Sequence, residues 1–183
     1  ETFLSSNEKK QTLLIVEDNT SLRQYLEIIL SPYYNILTAE NGQVALKMLN
    51  ASSISPEISE QTLERQLPSI IISDIMMPVM DGFQFLENVK KHVYWRNVPF
   101  IMLTARAELK DKLKALRIGV DDYLLKPFKE EELLVRIENL LNNAEERKEF
   151  IQAQMVPSAN LESMTKTSPS ISTTEGSVEM IAP

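Results

Sequence analysis

The sequence has no cysteine and only one histidine. Because thiols are missing, neither a disulfide framework nor a thiolate metal site can form. The single histidine, His92, lies near Trp95 at the end of a helical pattern, and we interpret it as a surface residue rather than a phosphocarrier. Basic residues are also in the minority, since 19 Lys and Arg stand against 26 Asp and Glu and give a formal charge of −7. This balance argues against nonspecific binding of nucleic acid by the chain itself.

Long apolar runs are absent as well. None reaches about 18 residues, the length that indicates a membrane-spanning helix, and the N-terminus lacks the basic-then-apolar pattern of a signal peptide. We therefore expect a soluble, cytoplasmic chain that makes no membrane contact. Its 183 residues, of which 43% are hydrophobic, indicate one compact domain plus an appendage. The first residue is Glu1 rather than Met, so we expect an excised fragment.

Apolar runs of strand length alternate with helical patterns along the chain. The three consecutive isoleucines at 70–72 are typical of a strand that is covered on both faces. The predicted strands are 12–16, 34–38, 70–72, 98–103 and 123–125. Asn19 or Thr20 can cap the first helix, and Gly119 ends the fourth. The alternation predicts an α/β fold, in which a parallel sheet carries helices on both faces.

The predicted domain organisation has four parts. Residues 1–11 form a flexible N-terminal segment, and the domain occupies residues 12–142. A connection between a helix and the next strand usually takes about 2–6 residues, so the polar residues 51–67 form an insertion. The helical pattern continues through 143–155, either as a solvated, fraying helix or as a signalling helix that pairs with a second copy. The Ser/Thr-rich residues 156–183 are typical of a linker or tail.

Polar residues mark the carboxyl ends of four predicted strands. They are Glu17 and Asp18, Asp74, Thr104 and Ala105, and Lys126 and Pro127. In a parallel sheet these ends meet at one edge, where open α/β folds bind their ligands. Three carboxylates brought together repel by roughly 4 kcal/mol per close pair at an effective dielectric constant of about 20, which a divalent cation would relieve. Taken alone, Asp74 could equally be a turn residue, but oxygen ligands together favour Mg²⁺, and an adjacent lysine and hydroxyl favour phosphate oxygens.

The constellation resembles the receiver domain of two-component response regulators, over about residues 12–142. The matching motifs are Glu17-Asp18, Asp74 followed by Met77-Pro78-Val79-Met80-Asp81-Gly82, Thr104-Ala105, Tyr123, and Lys126-Pro127-Phe128. The resemblance implies a flavodoxin-like (βα)5 fold, a doubly wound parallel sheet of five strands in the order 2-1-3-4-5, here with an extended C-terminal helix and tail. The sequence departs from the family pattern in the 51–67 insertion, in Glu rather than Asp at position 17, and in a tail without a recognisable output domain.

The resemblance also implies a metal-dependent phosphoacceptor. Asp74 would be the nucleophile that takes a phosphoryl group from a phosphohistidine, supplied by a histidine kinase or its phosphotransfer domain. Asp18, Glu17 and Asp74 would hold Mg²⁺, with the backbone carbonyl of Met76 as a further ligand. Such a chain is not an enzyme in the ordinary sense, since it phosphorylates itself and dephosphorylates only slowly.

Further residues take their roles from the same resemblance. Lys126 would neutralise charge on the transferring oxygens, and Thr104 with the Ala105 amide would bind the phosphoryl group. Tyr123 would be the rotamer switch that follows the movement of Thr104. Pro127 would follow a cis peptide bond that aims Lys126. Asp81 is better interpreted as a turn or cap residue before Gly82 than as a ligand.

The resemblance predicts transcription regulation as the output, within a response regulator or a hybrid sensor histidine kinase. DNA would be bound only through an output domain that the sequence does not show, and a homodimer would form through the face made by residues 107–141. Two alternatives remain. A Mg²⁺-dependent phosphatase of the haloacid dehalogenase type would also use an Asp nucleophile, but it carries a second Asp where this chain has Met76. A receiver-like module that works without phosphorylation is disfavoured because all the acceptor residues are present.

Overall fold

The computed structural model describes residues 10–53, 67–105 and 108–155. Within these ranges five strands alternate with five helices. The strands are β1 (Thr12–Val16), β2 (Asn35–Ala39), β3 (Ile70–Asp74), β4 (Phe100–Thr104) and β5 (Asp122–Leu125). The helices are α1 (Thr20–Leu30), α2 (Gly42–Ser53), α3 (Gly82–Lys91), α4 (Leu109–Ile118) and α5 (Glu130–Met155).

All five strands are parallel and lie in the order 2-1-3-4-5. The flavodoxin-like fold and the strand order implied by the resemblance are therefore confirmed. The register pairs Val16 with Ser73, and Asp74 with Leu103. It also pairs Thr104 with Leu125. The carboxyl ends of β1, β3, β4 and β5 consequently lie side by side at one edge of the sheet.

The core consists of two apolar layers, one on each face of the sheet. Because side chains alternate along a strand, Ile70 and Ile72 pack into the layer beneath α1 and α5, while Ile71 packs into the layer beneath α2 and α3. All three isoleucines have no exposed surface, which confirms the prediction of a strand covered on both faces. The buried helix residues in these layers include Leu26, Leu30, Ala45, Leu49, Phe85, Leu86, Leu133 and Ile137.

Several element boundaries differ from the sequence prediction by one to three residues. Strand β4 begins at Phe100 instead of Val98, because Pro99 has no amide to donate to a neighbouring strand. Strand β2 is shifted by one residue to Asn35–Ala39, and β5 begins one residue early, at Asp122. Helix α2 extends to Ser53, so the predicted insertion begins within a helix, and its residues 54–66 lie outside the described residues.

Helix α5 is longer than any other in the described ranges and runs through residue 142, where the domain was predicted to end. By its contacts the chain divides into two compact units, Glu1–Lys148 and Glu149–Pro183. The predicted N-terminal segment up to residue 9 and the predicted tail 156–183 lie outside the described residues. Among the helices of the described ranges, none combines the length and the apolar character needed to cross a membrane.

Candidate functional site

The end of β1 carries two acidic residues in different environments. The Glu17 amide makes the last sheet bond, to the Ala39 carbonyl at 3.0 Å, and its side chain is almost fully buried. Asp18, the next residue, is exposed. Asn19 then caps α1, because its Oδ1 accepts from the Leu22 amide at 3.0 Å. Of the two predicted caps the structure therefore uses Asn19, and this cap turns the chain sharply at the edge of the sheet.

The end of β3 places Asp74 beside a loop that folds back on it. The Gly82 amide donates to the Ile75 carbonyl at 2.9 Å. A Cβ at position 82 would lie 2.2 Å from the Asp74 carbonyl oxygen, so only glycine permits this approach. Asp81 caps α3 through a reciprocal capping box with Gln84, as predicted for a cap rather than a ligand. The backbone of Asp74 is therefore held by the start of α3.

The three predicted metal ligands form a cluster. One oxygen each from Glu17, Asp18 and Asp74 lies within 4.8 Å of the others. Asp74 is only 6% exposed, so its charge is poorly screened by water. Closely spaced carboxylate oxygens without sulfur or nitrogen ligands are the donor set that Mg²⁺ prefers. The residues present therefore fit a magnesium site.

Lys126 is the cation that this acidic cluster contacts. Its Nζ lies 2.8 Å from Glu17 Oε2 and 2.9 Å from Asp74 Oδ1. Its backbone amide donates to the Thr104 carbonyl at 2.7 Å, and the Lys126–Pro127 peptide bond is cis. Burial raises the pKa of Glu17, an effect that the hydrogen bond and charge of Lys126 oppose. One lysine is thus shared between two buried carboxylates.

The remaining predicted residues lie on or directly after strands β3, β4 and β5. Thr104 is buried at the end of β4, and Ala105 follows it as an exposed residue. Met76 is two residues beyond Asp74, and its side chain is 58% exposed. Tyr123 is half-buried on β5, with its side chain packed against the core layer beneath α2 and α3. The structure thus clusters the three carboxylates, brings Lys126 into contact with Glu17 and Asp74, and places Thr104 and Ala105 at the adjacent strand end.

An open pocket that the sequence prediction missed lies next to Lys126. It has a volume of about 470 Å³ and is lined by Leu22, Tyr25, Ala105, Lys126, Pro127 and Phe128. The lining comes from α1 and from the segments that follow β4 and β5. No local pattern marks these residues as a group, because their proximity depends on the parallel order of the strands.

Arg23, in the first turn of α1, is a second feature that the prediction missed. Its guanidinium donates to the carbonyls of both Glu17 and Asp18. A signal for it does exist in the sequence, because a cation is disfavoured at the positive N-terminal end of a helix. An arginine found there therefore indicates a specific partner.

The sequence matches the family model of the response regulator receiver domain over residues 13–138. The chain therefore belongs to the receiver domain family of two-component signalling. Over 140 residues it is 38% identical to a protein named histidine kinase P4 from Formosa agariphila, a match that covers 76% of this chain and 9% of that protein. Over 138 residues it is 36% identical to a protein from Pyropia yezoensis named probable transcriptional regulator ycf27. This match covers 75% of this chain and 50% of that protein. The chain thus spans half or much less of these relatives.

A solved structure supports the same assignment. The CheY-like response regulator receiver domain protein from Methanospirillum hungatei superimposes with a TM-score of 0.64 at 25% sequence identity. The match covers 76% of this chain and 99% of the other. Receiver domains bind Mg²⁺ at an acidic pocket, and this chain has an acidic cluster of Glu17, Asp18 and Asp74.

Proposed function

We propose that Asp74 accepts a phosphoryl group, in the cytoplasm, from the phosphohistidine of a histidine kinase or of its phosphotransfer domain. The observation that carries the proposal is the contact of Lys126 with both Asp74 and Glu17 inside a cluster of three carboxylates. Membership of the receiver family supplies the class of donor. Asp74 is the nucleophile because it is the carboxylate at the end of the central strand β3, where a group docked at the sheet edge can reach it.

The transfer is a substitution at phosphorus. A carboxylate oxygen of Asp74 forms the new P–O bond while the P–N bond of the phosphohistidine breaks, and its electron pair returns to the imidazole nitrogen. The ammonium of Lys126 stabilises the negative charge on the transferring oxygens and on the resulting acyl phosphate. Mg²⁺ held by Glu17, Asp18, Asp74 and the Met76 carbonyl would add positive charge at the same oxygens.

The phosphoryl group is then held at the end of β4. We assign this role to the Thr104 hydroxyl and the Ala105 amide, which stand beside Asp74 and Lys126 in the order of the strands. Thr104 and Lys126 are already joined through the backbone, by the 2.7 Å bond from the Lys126 amide to the Thr104 carbonyl. A shift of Thr104 toward the phosphoryl group would therefore also move β5, which carries the proposed switch residue Tyr123.

The donor protein docks at the pocket beside Lys126. Leu22, Tyr25 and Phe128 give this pocket an apolar lining, and Tyr25 is 44% exposed at its border. A helix that presents a phosphohistidine can bury apolar side chains there while the phosphoryl group reaches Asp74.

The output acts through the face formed by α4, β5 and the first part of α5. Exposed apolar side chains on this face are Leu109, Leu113, Leu116, Leu125 and Val135. We propose that phosphorylation strengthens a homodimer through these residues and that the dimer controls transcription through an output domain. The support for this output is the name of the relative from Pyropia yezoensis, probable transcriptional regulator ycf27.

Incubation with Mg²⁺ and acetyl phosphate, followed by intact mass, tests the phosphoacceptor role. The parent chain should form one acyl phosphate, Asp74→Asn should form none, and the control Asp111→Asn, a matched change on α4, should behave as the parent. Continuous phosphate release without a stable adduct would indicate the phosphatase instead. An unlabelled parent would indicate a module that works without phosphorylation, and a labelled Asp74→Asn would place the acceptor elsewhere.

Sedimentation with and without beryllofluoride, a phosphoryl mimic, tests the dimer. The mimic should increase association of the parent and of Ile28→Glu, which alters an exposed residue of α1. It should not do so in Leu113→Glu, because the new charge lies on the proposed interface. A monomer in both states at high protein concentration would remove the dimer from the proposal and leave the phosphoacceptor role intact.

A further inference from the structure

The arginine in the first turn of α1 contacts the backbone that carries two of the three carboxylates. Arg23 Nη1 donates to the Glu17 carbonyl at 2.5 Å and to the Asp18 carbonyl at 3.3 Å. Its Nη2 lies 3.5 Å from the hydroxyl oxygen of Thr20. One guanidinium therefore bridges the end of β1, the loop after it and the start of α1.

The direction of this side chain follows from helix geometry. Side chains of a helix point toward its N-terminus, so a long residue at position 23 reaches back over the preceding loop. The helix end by itself disfavours its charge, because the N-terminal end of a helix carries a partial positive charge, whereas the neighbouring carboxylates favour it. A planar group with several donors in a fixed arrangement offsets that penalty by bonding two carbonyls at once.

The hydrogen bonds of Arg23 add to others that hold the Glu17–Asp18 backbone in place on both sides. On one side the Glu17 amide is bonded to the Ala39 carbonyl at 3.0 Å. On the other side Asn19 caps α1, and the Asn19 amide donates to Glu17 Oε1 at 3.2 Å. The two carbonyls between these points are the ones that accept from Arg23. This stretch of backbone sets the direction in which each acidic side chain starts, because the Cα–Cβ bond has a fixed orientation relative to it.

We propose that Arg23 is a positioning residue of the magnesium site. It holds the Glu17–Asp18 backbone so that both carboxylates face Asp74, and it does so without bonding their carboxylate oxygens. The inference rests on the proposed function, since it assumes that the acidic cluster takes up Mg²⁺. The role differs from that of Lys126, which contacts the reacting carboxylate itself.

The sign of the expected effect separates positioning from simple electrostatics. A positive charge near the cluster repels a cation, so removal of Arg23 would tighten Mg²⁺ binding if only charge mattered. Positioning predicts the opposite, because a less ordered loop must be fixed when the ion binds. Loss of a group bonded directly to a metal ligand typically weakens metal affinity about 10–100-fold. Because Arg23 bonds the backbone of the ligands, we expect a smaller loss in Arg23→Met, about three- to tenfold.

The test is a Mg²⁺ titration of the whole chain by calorimetry, with thermal unfolding measured without metal. Arg23→Lys keeps the charge and some of the hydrogen bonding, so its affinity should lie between those of the parent and Arg23→Met. Arg117→Met makes the same substitution in the last turn of α4, where the residue is exposed, and should leave the affinity unchanged. In labelling by acetyl phosphate, Arg23→Met should need more Mg²⁺ for half-maximal rate but approach the rate of the parent at saturation.

The measured affinities and melting temperatures decide whether Arg23 is a positioning residue. Equal or tighter Mg²⁺ binding in Arg23→Met would overturn the positioning role, and so would a lower melting temperature with unchanged affinity. If Arg23→Met does not fold, an Arg23→Lys variant with the affinity of the parent would likewise overturn it. A parent chain that binds no Mg²⁺ at millimolar concentration would overturn both this inference and the proposed magnesium site.

Discussion

Two partly buried lysines lie at opposite ends of the sheet strands, which we call the amino edge and the carboxyl edge. They differ in the number of carboxylates that surround them. At the amino edge, Lys90 Nζ lies 2.8 Å from Asp121 Oδ2. At the carboxyl edge, Lys126 Nζ lies 2.8 Å from Glu17 Oε2 and 2.9 Å from Asp74 Oδ1. The two lysine side chains are almost equally exposed, at 15% and 17%. Burial of the lysine therefore does not distinguish the two clusters, although the carboxylates are more deeply buried at the carboxyl edge, where the side chains of Glu17 and Asp74 are 1% and 9% exposed against 24% for Asp121.

Charge balance does distinguish them. At the amino edge one lysine faces one carboxylate, and the backbone completes the bonding: Asp121 also accepts from the Phe100 amide at 2.9 Å, and Lys90 Nζ lies 3.3 Å from the carbonyls of Arg96 and Val98. At the carboxyl edge three carboxylates stand against two cations, Lys126 at the carboxylate oxygens and Arg23 at the backbone carbonyls of Glu17 and Asp18. A balanced pair joins α3, β4 and the segment before β5, whereas an unbalanced cluster retains negative charge that a cation can neutralise. Excess negative charge on deeply buried carboxylates therefore distinguishes the candidate site from a balanced ion pair.

The largest expected effect separates the two lysines. Lys126→Met should slow labelling by acetyl phosphate about 100-fold or more, as expected when a donor to the transferring oxygens is lost. Lys90→Met should leave labelling of the folded protein unchanged but lower the free energy of unfolding by about 2 kcal/mol, because Asp121 loses its cation. Labelling time courses and urea unfolding measure the two effects. Comparable slowing by both substitutions would contradict the distinction between the edges.

Magnesium should stabilise the folded protein by binding at the carboxyl edge and not at the amino edge. At a Mg²⁺ concentration ten times the dissociation constant, the free energy of unfolding should rise by about 1.4 kcal/mol, because the ion binds the folded state. Asp18→Ala should remove most of this gain. Asp121→Ala should lower the stability but keep the gain. Thermal unfolding with Mg²⁺ and with a chelator measures it, and a parent chain that melts alike in both would show that the three carboxylates do not form the site.

Neutralising one carboxylate should change the free energy of unfolding in opposite directions at the two edges. Asp74→Asn removes one charge from a cluster of like charges, which relieves repulsion but also weakens the contact with Lys126. The metal-free protein should therefore gain about 1 kcal/mol of stability in net. Asp121→Asn should instead destabilise the protein, because it breaks a balanced pair. Urea unfolding in the presence of a chelator compares the two variants. A loss of stability in both would mean that Lys126 already balances the carboxyl edge.

The smallest effect concerns pH. Burial raises the folded-state pKa of Glu17 above its ordinary value of 4.5, so between those two values the folded state binds more protons than the unfolded state. Metal-free protein should therefore lose stability as the pH rises from 4.5 through the folded-state pKa. Glu17→Gln should lack this loss, so the difference in unfolding free energy between parent and variant should decline with pH. A constant difference in a chelated urea series from pH 4.5 to 7 would show that Lys126 fully offsets the burial.

The strands and their polar ends could be predicted from the sequence for a definite physical reason. Runs such as the isoleucines at 70–72 are buried on both faces and end on charged or hydroxyl residues, and a parallel sheet necessarily gathers those ends at one edge. The cap at Asp81 was also predictable, because its partner Gln84 is three residues away. Local sequence therefore indicated at which strand ends the candidate residues lie.

Other features depend on contacts between residues that are distant along the chain or on the rotamer of a long side chain. Nothing near Lys126 shows that it bonds Glu17, 109 residues earlier. The reach of Arg23 depends on its rotamer, and the need for glycine at position 82 depends on its distance to the Asp74 carbonyl. The leucines of α4 suit a buried stripe, yet Leu109, Leu113 and Leu116 are exposed, while Ala115 is the buried residue. Such features are determined by the three-dimensional packing of the chain.

The parallel topology also determines where the chain can change in length. Helix α2 ends at Ser53 and β3 begins at Ile70, so the long connection between them joins the sheet at its amino edge. The site lies at the other end of β3, at Asp74. Insertions and deletions in this connection therefore leave the spacing between the carboxylates and Lys126 unaltered. For protein engineering, the two ends of this connection offer attachment points for a fluorophore or an affinity tag at the end of the sheet opposite the acidic cluster.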